Sequence, residues 1–99
     1  MQEKTIEKHL ITSIRKACGG LALKFTSAYF TGMPDRMVLL PGGKLCFVEL
    51  KAPGERPTAK QEATHRMLRN LGFGVYILDS IESVRQFVEE VTPSDFQAL

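Results

Sequence analysis

No stretch of this sequence approaches a membrane span, which needs about 20 consecutive apolar residues. The first ten residues, MQEKTIEKHL, carry charge where a signal peptide needs an apolar segment. Cysteine is scarce. Cys18 and Cys46 stand in apolar surroundings and have no close metal-ligand spacing with His9 or His65. A disulfide is therefore not expected, and both thiols read as buried and free in a reducing compartment. Charge of one sign is also lacking: 13 Lys and Arg against 11 Asp and Glu leave a formal charge of +2. Such a balance permits a nucleic-acid partner without arguing for one. There is no internal repeat, linker or low-complexity segment, and PGGK at 41–44 lacks the spacing of a phosphate loop. These absences leave a soluble intracellular chain as the expectation.

What is present suits a single domain. Ninety-nine residues, 43% of them apolar and 24% charged, can bury one real core. The expected domain covers residues 1–91, followed by a loose tail at 92–99. TIEKHLITSIRKACGG predicts a helix, with Ile6, Leu10, Ile14 and Ala17 at helical spacing and Gly19-Gly20 as its stop. LALKFTSAYF reads as extended, Leu21, Leu23 and Phe25 alternating with Ala22 and Lys24. DRMVLL and KLCFVELK predict two strands of a hairpin joined by PGG. Thr58 is placed to cap a helix from Ala59 to about Leu71. FGVYILD predicts a fourth strand, and Asp79 or Ser80 caps a last helix striped by Ile81, Val84, Phe87, Val88 and Val91. The order α-β-β-β-α-β-α implies an α/β fold, a mixed central sheet flanked by helices.

The charges in CFVELKAPG, residues 46–54, do not belong to an ordinary buried strand. Glu49 and Lys51 share a strand face, about two residue rises apart. If PGG closes the hairpin, the residue across from Glu49 is close to Asp35 or Arg36. Two neighbouring carboxylates raise each other's pKa unless a cation separates them, and magnesium suits such oxygen ligands. Glu7 falls within the apolar sector of the first helix. Either it joins a metal site or Lys51 at the sheet end, or it is a first-turn glutamate favoured by the helix dipole and reaching water. A lone E-x-K is a weak signal and a solvated pair is common. Its conjunction with Pro34-Asp35 and a helical glutamate upstream is more specific.

GMPDRMVLL followed by CFVELKAPG resembles the PD-(D/E)xK nuclease motif, and the element order is similar to that superfamily's restriction-endonuclease-like core. The resemblance is closer to the virus-type replication-repair nuclease (VRR-NUC) domain. That family's helical glutamate, G-x-P-D-R, V-E-x-K-x-P and downstream glutamine correspond to Glu7, Gly32–Arg36, Val48–Pro53 and Gln61. The likeness covers roughly residues 3–90, as in a stand-alone member.

The resemblance implies a metal-dependent DNA endonuclease, with Asp35, Glu49, Lys51 and Gln61 as catalytic residues. Asp35, Glu49, the Leu50 carbonyl and Glu7 would bind magnesium, with manganese able to substitute. Lys51 would position the attacking water or stabilise the transition state. Gln61 has a second reading, because Thr58-Ala59-Lys60-Gln61 is a capping box. Arg36 and Lys60, and beside them Lys24 and Arg56, are candidates for DNA phosphate contacts, and solvent exposure is the alternative for each. His65 reads as plain surface. Stand-alone relatives imply a homodimer acting on branched DNA such as a Holliday junction, in a bacterial or virus-infected cytoplasm. The dimer interface would be the last helix's stripe or the loop around Tyr29 and Phe30. A flap or non-specific DNA nuclease and a non-catalytic DNA-binding module on the same fold are the rival readings.

Overall fold

The computed structural model describes residues 2–93. Its elements run α1 (Glu3–Cys18), β1 (Leu21–Lys24), β2 (Arg36–Leu40), β3 (Lys44–Leu50), α2 (Ala59–Asn70), β4 (Gly74–Leu78) and α3 (Ile81–Val91). The expected order is observed. The strands lie side by side as β1-β2-β3-β4. β1, β2 and β3 are antiparallel neighbours, and β4 pairs parallel to β3 after the crossover through α2. The tail expected to be loose, from 94 onward, lies outside the described residues. Among those described, no helix is long and apolar enough to cross a membrane.

Sequence periodicity explains which faces are covered. Ile6, Leu10 and Ile14 turn one stripe of α1 into the core, against Val38, Cys46, Val48, Leu50 and Leu78. Val84 and Phe87 of α3 complete that layer, and Phe87 meets Tyr76 edge to face at 4.8 Å. Burying a side chain the size of phenylalanine contributes about 3 kcal/mol. The α3 stripe is thus spent inside the molecule. Ser80, with Ser83, caps that helix. Both cysteines are free and buried, and desolvation raises the Cys46 thiol to about 11.

The alternate residues of β3 and β4 face the other side, where α2 lies. There Phe47 packs edge to face on Phe25 and Phe73. β1 is shorter than expected. Its ladder ends at Lys24, and residues 26–35 form a loop. Ala22 is the buried residue, toward α1, while Leu21 and Leu23 are each 44% exposed. Local alternation cannot say which face carries a helix, and α1 covers the Ala22 face of this edge strand.

Candidate active site

Strand register assembles the first part of the site. The β2–β3 ladder pairs Arg36 with Val48, so Asp35, one step beyond it, sits across from Glu49. Asp35 is fixed there because its Oδ2 accepts the Leu50 N–H at 2.8 Å. Glu49, one residue before the end of β3, is almost sealed from solvent, at 1% exposure. Lys51 follows on the same face, its Nζ 3.4 Å from Glu49 Oε2. The opposite charges at the end of a buried strand therefore belong to one cluster.

α2 supplies the second part. Thr58 caps it: its Oγ1 accepts the Gln61 N–H at 3.2 Å and its own N–H donates to Gln61 Oε1 at 2.9 Å. The other end of the same amide, Gln61 Nε2, donates to Glu49 Oε2 at 3.1 Å. The two readings of Gln61 therefore describe one side chain doing both jobs. The loop before β2 is pinned to this helix, since Thr64 Oγ1 donates to the Thr31 carbonyl at 3.1 Å. Gly32 makes that approach possible. Its φ is +84°, and a Cβ there would stand 2.7 Å from Thr64 Oγ1 and 2.9 Å from the Lys60 carbonyl.

His65 corrects an expectation. Its polar neighbours place it on the surface, yet it is 1% exposed. It lies one turn after Gln61 on the face of α2 turned to the sheet, with Nε2 3.9 Å from Glu49 Oε1. The available signal was the i,i+4 spacing from Gln61, outweighed by the polar neighbours Glu62 and Arg66. Burial, and after it Arg69, lowers the pKa of His65 and so favours the uncharged imidazole.

Burial first, and the Asp35 carboxylate second, raise Glu49 to about 7, against the opposing pull of Lys51. Glu49 Oε1 has no hydrogen-bond partner among the described residues. Two close carboxylates, one with an unpartnered buried oxygen, fit a divalent cation. The donors at hand would be Asp35, Glu49 and the Leu50 carbonyl, with water filling the remaining positions as magnesium favours. Among the described residues, no group of three or more His, Cys, Asp or Glu gathers to hold an ion. Glu7 is engaged by Arg36 in this structure. Its Oε2 lies 2.7 Å from Arg36 Nη2, on the face of the sheet turned to α1.

The remaining cations divide between strut and surface. Arg36 is buried, and besides Glu7 it bonds the Ala22 carbonyl through Nη1 at 3.3 Å. That guanidinium ties α1 to the sheet and is not presented to a ligand. Lys24, Arg56 and Lys60 are exposed. Lys60 lines a cavity of about 240 Å³ with Tyr29 and Phe30.

Comparison with known proteins bears on the fold and the family. No family model matches the chain. It is 52% identical over 80 residues to "Putative nuclease p44" of Acyrthosiphon pisum secondary endosymbiont phage 1, an alignment covering 81% of this chain and 85% of the phage protein. A solved structure described as a VRR_NUC domain is similar with a TM-score of 0.81 and 30% identity, over 88% of this chain and 94% of that one.

Proposed function

This chain belongs to the virus-type replication-repair nuclease family, and on that footing we propose that it is a metal-dependent DNA endonuclease, with residues 1–91 as one nuclease domain. The observation that carries the reading is the buried Glu49 carboxylate, raised to about 7, with Asp35 across from it and Lys51 beside it. A carboxylate so destabilised as an anion is poised for a cation. Asp35, Glu49 and the Leu50 carbonyl would hold magnesium, or manganese in its place. When bound, the ion supplies Lewis-acid activation of water and neutralises charge on the scissile phosphate.

The chain's own groups do the rest. Lys51 presents a compact positive charge on the same face as Glu49, suited to the charge that develops on the phosphoryl oxygens. Gln61 orients Glu49 from the capped end of α2. Lys24, Arg56 and Lys60 would contact backbone phosphates, which position a duplex without reading its sequence. Arg36 is reassigned to the Glu7 strut.

We further propose that the enzyme is a homodimer acting on branched DNA, because paired incisions in a four-way junction call for two symmetric sites. With the α3 stripe buried, the interface falls to the apolar cleft between Phe30, Met33, Met67 and Leu71. A bacterial or virus-infected cytoplasm is the compartment this reading implies. Labelled four-way junction, linear duplex and 5′-flap, each with magnesium or manganese, test the proposal. Paired symmetric nicks in the junction alone support it. Equal cutting of all three keeps the nuclease and removes the junction preference, and no cutting of any favours a binding module on the same fold.

A further inference from the structure

One polar side chain at the carboxylate pair has no part in helix capping or in the hydrolysis described above. His65 follows Gln61 by one turn, so both project from the same face of α2. Gln61 Nε2 holds Glu49 Oε2 at 3.1 Å. His65 Nε2 faces the other oxygen, Glu49 Oε1, at 3.9 Å. Both of these facing atoms are buried and without a hydrogen-bond partner among the described residues. Their proximity is no product of strand pairing. It comes from the helix register that also delivers Gln61.

We propose that His65 is a positioning residue: its Nε2–H donates to Glu49 Oε1, so that Gln61 and His65 hold one carboxylate oxygen each and fix the plane of Glu49 for the cation. The inference rests on the metal-dependent reading of the site. The gap exceeds a hydrogen bond by about 1 Å, and the last torsion of a glutamate is broad enough to close it. One bond then satisfies two buried atoms that are each costly when left alone. Each carboxylate oxygen accepts more than one partner, which leaves Oε1 able to face His65 and the ion together.

Manganese titration of the protein without DNA, read by the electron paramagnetic resonance signal of free Mn2+, tests this directly. His65→Leu fills the volume and removes the donor, whereas His65→Gln keeps an N–H near the Nε2 position. The expected result is a loss of roughly 10- to 100-fold in Mn2+ affinity for His65→Leu, with affinity retained by His65→Gln. Metal-free urea stability should fall for His65→Leu, which strands the buried Glu49 Oε1, and be retained by His65→Gln, whereas an equal fall in both variants marks packing rather than positioning. Wild-type affinity in His65→Leu, or an equal loss in both variants, overturns the proposal. A wild type that binds no Mn2+ overturns it together with the metal-dependent reading, whereas the first two outcomes leave that reading standing. Should His65→Leu not fold, imidazole ¹⁵N spectra of the wild type decide: a protonated Nε2 supports the assignment, and a bare Nε2 with the proton on Nδ1 overturns it.

Discussion

Replacing Glu49 with glutamine should stabilise the metal-free protein in alkali and do nearly nothing in acid. Burial and Asp35 raise the carboxyl from 4.5 to about 7. Its folded-state pKa is thus above its unfolded one, so its favourable contribution is complete below about pH 4.5 and is lost as the pH rises through 7. With about 1.4 kcal/mol per unit, ionised Glu49 destabilises the metal-free fold by about 3 kcal/mol at about pH 8.5. Glutamine imitates the protonated acid, and its carbonyl oxygen can keep Gln61 and Lys51 as neighbours. Urea denaturation in a chelator, followed by far-ultraviolet circular dichroism, should find Glu49→Gln more stable than wild type by about 3 kcal/mol at about pH 8.5. At about pH 3.5, below both values, the two should coincide. Cys46 and Tyr76, also raised by burial, are common to both proteins and cancel. Excess magnesium should reverse the order in alkali, because only the wild type gains binding energy. A stability difference that does not change with pH, or a variant weaker than wild type in alkali, would refute the reasoning.

Arg36→Met leaves Glu7 without its partner and cuts the tie to the Ala22 carbonyl. Because Glu7 is a third exposed, a loss of about 2 kcal/mol is expected, and a double-mutant cycle with Glu7→Gln should recover part of it. Gly32→Ala meets a strained φ as well as Thr64 and the Lys60 carbonyl, and thermal unfolding should register a loss of about 2 kcal/mol. Thr58→Ala and Gln61→Ala should each weaken the α2 cap by about 1 kcal/mol. Only Gln61→Ala also removes the bond to Glu49, so cleavage should fall at least roughly tenfold in that variant alone.

The α1 and α3 boundaries were legible because their apolar spacing and their caps agree, as at Ser80 and Gly19, and the start of α2 because Thr58 caps it. The meeting of Asp35 and Glu49 was legible too, since a short hairpin fixes register to within a residue. What escaped depends on neighbours distant in sequence. Alternation in β1 marks two faces, and nothing local says that α1 covers Ala22 while Leu21 and Leu23 stay open. Helical spacing put Glu7 in the apolar sector of α1, but its partner came from β2, where Arg36 read as a phosphate contact. His65 sits among polar residues in a helix with few buried positions, and its burial follows only once Gln61 is known to face the sheet.

The most direct test of the central claim separates metal binding from chemistry in one experiment. Single-turnover cleavage of labelled DNA and magnesium binding would be measured side by side for wild type, Asp35→Asn and Lys51→Met. The account predicts metal-dependent cleavage by the wild type. Asp35→Asn should lose both binding and cleavage, and Lys51→Met should bind the ion and cleave at least roughly 100-fold more slowly. Cleavage at the wild-type rate by both variants would contradict it.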